Sequence, residues 1–300
     1  MADWDDLRVF LAVARGESLS RAGRVLKLDA ATVGRRVARL EGALGVRLFA
    51  RSPQGYRLTD DGARLQAHAQ AVEAELTRAQ DSLAIPQEGI SGQIRIGAPD
   101  GCANYLLPQV VAAICADNPG LEVQIVALPR VFNLNRREAD MVVSVSQPES
   151  GRVLCHKIAD YRLHLAASED YLARAGAPRE LADLKGHRII GYIPDMIFDR
   201  ELDYLAALGV EAPPIASNSV SVQLNLIRQG AGLGVVHDFA LPFAPGVRRV
   251  LSDAYGLRRA FHLIRHVDDR HVPRLERFAA ALIARMRAEI TRLEALAERA

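Results

Sequence analysis

The chain has 300 residues, 49% of them apolar and 25% charged, and a formal net charge of +2; this is globular composition, and the length exceeds one ordinary domain. No apolar run approaches the eighteen or so residues that span a bilayer, and MADWDDLR lacks the apolar core of a signal peptide. Cys102, Cys115 and Cys155 form neither a CxxC pair nor a zinc set with the scattered histidines, which excludes a metal finger and fits a reducing, cytoplasmic compartment.

In chain order, Leu7, Phe10, Leu11 and Ala14 lie at i, i+3, i+4 and i+7 and predict a first helix. Ser18 is a good N-cap for a second, LSRAGRVL, with Ala22, Val25 and Leu26 sharing its inner face. Lys27-Leu28-Asp29 is the break. Asp29 caps a third helix, whose Val33, Val37, Leu40 and Leu44 are expected to face inward. Thr32, Arg35, Arg36 and Arg39 then fall on other faces, and three arginines so close together suit phosphates or guanine edges. LFARS and YRL read as two short strands joined by Pro53-Gln54-Gly55. This is the layout of a winged helix-turn-helix. Arginines on a helix also serve simply as a solvated face. The charge distribution favours phosphate binding: residues 1–60 carry 11 basic against 7 acidic side chains, 61–239 carry 15 against 22, and 240–300 carry 12 against 7.

Residues 59–85 read as one long helix, capped by Thr59, with Asp60 and Asp61 in its first turn. Leu65, Val72 and Ala79 recur every seven residues, and Ala69, Leu76 and Leu83 follow each by four. That is a short coiled-coil seam, or else the face of a helix packed on its own domain. PQEGISG then breaks the helix. From Gln93 the pattern changes to alternating strands (IRIGAP, LEVQIVAL, ADMVVSV, LHLAAS, RIIGY, GLGVVH) and helices, one of them from Leu106 to Asp117, which predicts α/β units with largely parallel pairing. The stretch from Val272 is strongly helical, with Leu275, Phe278, Ala279, Leu282, Ile283 and Met286 on one face.

The head resembles the DNA-binding domain of LysR-type transcriptional regulators. The resemblance is carried by Phe10, Ala14, Ser18-Leu19, Ala22, Leu26, Arg39-Leu40-Glu41, Leu44-Gly45, Leu48-Phe49, Arg51, Leu58-Thr59 and Gly62. It implies DNA contacts at Ser18, Asp29, Ala30, Ala31, Thr32, Arg35, Arg36, Arg39, Arg51 and Arg57. Asp29-Ala30-Ala31 departs from the polar Ser-Gln start usual in that family, and Ala is no reader of base edges. Thr32 and Arg35 therefore become the expected base contacts, with Arg36 and Arg39 on phosphate. The remainder resembles the family's effector domain through Gly97-Ala98-Pro99, Leu107-Pro108, Asn118-Pro119-Gly120, Ala139-Asp140-Met141 and the run Arg228–Gly234. The implied architecture is α/β overall: a winged helix-turn-helix domain (1–58), a dimerisation helix (59–85), a hinge (86–92) and a two-lobed effector domain (93–300). Lobe I would be 93–165 plus 265–300, and lobe II 166–264.

An effector would lie between the lobes. The cleft residues expected by position are Asp100, Gly101, Cys102 and Asn104 after the first strand, Phe132 and Ser146, then Tyr192, Asp195, Phe198, Asn218 and His237. Asp100 would repel a carboxylate and suit an amine, polyol or cation, unless it caps a helix and points away. No nucleophile elbow, metalloprotease motif or phosphate-binding loop is present, so no enzyme and no cofactor are expected. The expected partners are double-stranded promoter DNA, a small-molecule effector, a second copy or a tetramer of two dimers, and RNA polymerase. The competing readings are an architectural DNA-binding protein without an effector, and a redox sensor using Cys102.

Overall fold

A computed structural model describes residues 3–52, 55–83, 89–127, 139–148 and 151–299. They form two compact units, Met1–Ile85 and Pro86–Ala300. The first contains helices α1 (Trp4–Gly16), α2 (Leu19–Leu26) and α3 (Ala30–Leu44), strands β1 (Phe49–Ser52) and β2 (Gly55–Leu58), and helix α4 (Asp60–Leu83).

Each expected cap is in place. The Ser18 side chain accepts from Arg21 N, Asp29 from Thr32 N at 2.8 Å, and Thr59 Oγ1 from Gly62 N at 3.0 Å. Each satisfies an amide that has no partner inside its own helix. Val9, Phe10, Leu11, Val13, Ala22, Val33, Val37, Leu40, Leu48 and Phe49 form one buried cluster. Two expected inner positions are corrected: Val25 is 78% exposed and Leu44 lies at the exposed end of α3. Helix α2 has only eight residues and buries only Ala22 and Gly23.

The wing is an antiparallel hairpin pairing Phe49 with Leu58 and Ser52 with Gly55. The Glu41 carboxylate anchors its base by accepting from Leu48 N at 2.8 Å and Phe49 N at 3.3 Å. Its other end meets the α1–α2 turn, where Tyr56 N donates to Glu17 O at 2.9 Å. Gly55 sits there at φ +130°, and a Cβ would come within 2.3 Å of Glu17 O, so no larger residue fits. On α4, Ala69 is buried, whereas Val72 and Leu76 are 47% and 43% exposed.

The second unit holds β3 (Gly92–Ala98), α5 (Asp100–Tyr105), α6 (Leu107–Asp117), β4 (Leu121–Ala127), β5 (Met141–Ser144), β6 (Val153–Ser168) and α7 (Glu169–Ala175). There follow β7 (Ile189–Gly191), β8 (Ile215–Ala216), α8 (Val220–Arg228), β9 (Leu233–His237), β10 (Val247–Arg249), β11 (Gly256–His266) and α9 (Pro273–Ala297). The strands run in the order β4-β3-β5-β11-β6-β9-β7-β8, with β10 also on β6.

Pairing is parallel only within each lobe, at β3–β4, β3–β5, β7–β8 and β7–β9. The β5–β11, β6–β11, β6–β9 and β6–β10 pairs are antiparallel, which corrects the expectation of a largely parallel sheet. The cause is two long strands that pass from one lobe to the other. The 16 residues of β6 pair along the 11 of β11, with a register shift between Phe261 and His262. Arginines and histidines punctuate both strands, so neither reads as a continuous apolar run.

Helix α9 buries Leu275, Phe278, Leu282, Met286, Ile290 and Leu293. Near its start Arg274 Nη1 donates to Gln93 O at 2.9 Å beside β3. Near its end Glu294 accepts from Arg162 N at 2.7 Å, and Ala297 O accepts from Arg249 Nη2 at 3.0 Å. The helix therefore lies along both lobes. Among the described residues no helix is long and apolar enough to cross a membrane.

Candidate nucleic-acid interface and effector cleft

The expected DNA-contacting residues separate into two sets. On one side of α3, Thr32 Oγ1 donates to Asp29 Oδ2 at 2.6 Å and accepts from Arg35 Nη2 at 2.8 Å. The Thr32 hydrogen bonds hold the Asp29 carboxyl below its ordinary range, so the chain Asp29–Thr32–Arg35 stays charged at both ends. Arg35, Ala31 and Arg57 are exposed, and Thr32 and Ala30 are half-buried. On the other side, Arg39 Nε and Nη2 donate to the two carboxylate oxygens of buried Asp6, at 2.6 and 2.5 Å. Arg36 lies 3.4 Å from Asp5. Two of the three α3 arginines thus face acids of α1. The signal was the acidic run Asp3, Asp5, Asp6, which reads in sequence only as a favourable first helical turn. The Arg51 side chain lies outside the described residues.

In the second unit, β3 delivers α5 to the boundary between lobes. Asp100 there takes the second of its two expected roles, capping a helix and leaving no charge open for a ligand. Its Oδ2 accepts from Ser219 Oγ, Ser221 N and Ser221 Oγ, each at 3.0 Å, and its Oδ1 from Asn104 Nδ2 at 3.1 Å. The carboxylate caps a helix, but that helix is α8 of the other lobe. Gly101 meets the same elements: a Cβ on it would lie 2.9 Å from Val220 Cγ2 and 3.3 Å from His237 Cε1.

His237 ends β9 inside an aromatic group. Its ring is 5.5 Å from Tyr161, 4.9 Å from Phe239 and 5.7 Å from Tyr204, and Tyr204 is 5.7 Å from Tyr192. Burial pushes the imidazole down to about 3, so it is neutral at physiological pH. Tyr161 OH is buried without a hydrogen-bond partner. Cys102 is fully buried and burial raises its thiol, which opposes the thiolate that oxidant sensing needs.

The structure thus brings Asp100, Gly101, Asn104, Tyr192 and His237 to one region. Ser146 instead donates to Asp199, Phe198 packs against the core, Asp195 is exposed and Asn218 is half-buried. Phe132 lies outside the described residues. Sequence reasoning missed Tyr161, Tyr204, Ser219 and Ser221. For the serines a signal existed, since SNSV carries the N-cap pattern of α8. A cavity lined by Tyr192, Ile197, Tyr204, Glu211 and Gln223 within the second lobe holds about 20 Å³, room for a single water and not for an effector. Among the described residues no cluster of His, Cys, Asp or Glu could hold a metal ion.

The architecture is thus a winged helix-turn-helix unit followed in the chain by a two-lobed α/β unit. Residues 4–63 match the family described as "Bacterial regulatory helix-turn-helix protein, lysR family", and residues 87–287 match "LysR substrate binding domain". The chain belongs to the LysR family of transcriptional regulators. Among its relatives, the regulator CrgA of Neisseria meningitidis is 26% identical over 241 residues, 78% of this chain and 79% of that one. The Mau operon transcriptional activator of Paracoccus denitrificans is 25% identical over 295 residues, 94% and 97% of the two chains. Among solved structures, a full-length OxyR variant from Pseudomonas aeruginosa matches with a TM-score of 0.69 at 20% identity, covering 96% of this chain and 98% of that one. The CrgA structure matches with a TM-score of 0.57 at 23% identity, covering 94% and 98%.

Proposed function

We propose that this regulator binds promoter DNA as a dimer, or as two paired dimers, through Thr32 and Arg35 of α3. The supporting observation is the division of the arginines by partner: Arg36 and Arg39 pair with acids of α1, although Arg39 stays exposed, while Arg35 is exposed, has no acid partner among the described residues and is steadied by Thr32. An arginine fixed at one nitrogen keeps further donors for a guanine edge. Its register is set before DNA arrives, which lowers the ordering cost of contact. The exposed Val72 and Leu76 of α4 fit a helix that pairs with a second copy, giving two recognition helices on a palindromic site. RNA polymerase is then the partner through which such binding acts on transcription.

The effector is a small molecule that binds between the lobes beside His237, Tyr161, Tyr192 and Tyr204, which are buried with no room for it here, so its binding requires the lobes to part. The Asp100 charge is already compensated, so the amine or cation expectation loses its support. Neutral aromatic walls with one unpartnered hydroxyl favour a flat, largely apolar molecule that carries a hydrogen-bond acceptor. Operator binding is tested by selecting genomic fragments with the full chain and titrating wild type and Arg35→Ala against the selected and a random duplex. The variant is expected to lose at least tenfold more affinity for the selected duplex, about 1.4 kcal/mol. Equal losses on both duplexes would make Arg35 a phosphate contact.

A further inference from the structure

We propose that Asp100 is a tethered anion that latches the two lobes together and keeps small carboxylates out of this end of the cleft. Three observations carry it. The donors on Oδ2 are two serine hydroxyls and one amide, from the N-cap and first turn of α8, 119 and 121 residues away and on the other lobe. This is the donor set that a free carboxylate ligand would use at a helix N-terminus. The remaining oxygen is held by Asn104, whose Nδ2 also donates to Asp100 O at 2.8 Å, so the side chain is fixed from its own helix too. Finally, Gly101 brings the α5 backbone against Val220 and His237, leaving no space for a second anion beside the first.

A tethered group acts at an effective concentration in the millimolar range or above, so an untethered carboxylate of similar affinity competes poorly with it. Lobe contact at α5–α8 therefore does not wait for an anionic ligand in this chain. A molecule that opens the lobes must instead break the three hydrogen bonds from Ser219 and Ser221 to Asp100. The inference holds whether or not an effector occupies the aromatic part of the cleft, so it stands or falls separately from the proposed function.

The test is chemical rescue in the full chain. Melting temperatures are measured for wild type, Asp100→Ala and Asp100→Asn in sodium acetate and in sodium chloride at equal ionic strength. Wild type is expected to melt at the same temperature in both salts. Asp100→Ala is expected to melt on the order of 5 °C lower in chloride, and acetate at a few hundred millimolar is expected to restore at least half of the loss. Asp100→Asn, which keeps the space filled, is expected to lose stability without rescue. Equal acetate effects on wild type and Asp100→Ala, or no loss in Asp100→Ala, would overturn the proposal. Hydrogen exchange gives a second reading if the alanine variant does not fold. The Ser221 amide is expected to exchange at least tenfold faster in Asp100→Asn than in wild type, with α9 unchanged, and an unchanged Ser221 rate also overturns the latch.

Discussion

Replacing Asp238 by Asn is expected to destabilise the second unit more than any comparable change at its surface. Asp238 opens the 3₁₀ turn after β9 and has no solvent exposure. His164 Nδ1 lies 2.8 and 3.0 Å from its two carboxylate oxygens, and Arg249 Nη1 donates at 3.2 Å. Arg162 Nε lies 3.9 Å away and also pairs with Glu294 and Glu298. Since Arg249 also donates to Ala297 O, one carboxylate ties β6, β10 and the end of α9 together. Breaking a buried charge pair costs about 3–5 kcal/mol. Both arginines reach solvent, so water recovers part of that and the lower end, about 3 kcal/mol, applies.

For a unit of this size each kcal/mol moves the melting temperature by about 2–4 °C, giving a loss of about 6–12 °C. Calorimetry of the full chain would read it, with Asp268→Asn as control, because Asp268 is exposed and so is its arginine partner Arg152, its other partner being His266. The control is expected to move by less than about 2 °C. If Asp238→Asn stays within 2 °C of that control, Asp238 does not bind α9 to the sheet as argued.

The other predictions concern assembly and pH. Leu76→Asp puts a charge on the exposed face of α4 and is expected to weaken self-association at least tenfold; unchanged sedimentation would show that α4 is not the contact. His237 titrates lower in the folded than in the unfolded chain, so the unfolded chain binds more protons between about pH 6.5 and 3. Its contribution to stability is complete above about pH 6.5 and is lost as pH falls toward 3, with a slope of up to about 1.4 kcal/mol per pH unit. His262, also lowered by burial, adds in the same sense. His237→Phe is expected to flatten that slope, and an identical acid limb in the variant would refute the assignment.

Much of the head was legible because its determinants are local. Ser18, Asp29 and Thr59 cap the helices that follow them, and the periodic Val33, Val37 and Leu40 fall on one face of one helix. Val25 shows the limit, since periodicity assigns a face but not whether anything covers it. The partners of Arg36 and Arg39 were illegible for a related reason: an ion pair 33 residues apart depends on how two helices cross.

By itself the sequence determined the order of elements in the head, the head's fold and the α/β character of the rest, and its motifs carried the family resemblance. The elements follow from periodicity, capping and spacing, which act over a few residues, and the family from resemblance to its motifs. Tertiary structure alone decided that β6 and β11 run antiparallel between the lobes, that two of the three α3 arginines pair with acids of α1, and that Asp100 is answered by serines of the opposite lobe. Each of these depends on which distant groups the packed core brings within a few ångströms, and an electrostatic or hydrogen-bonding role is defined only at that distance.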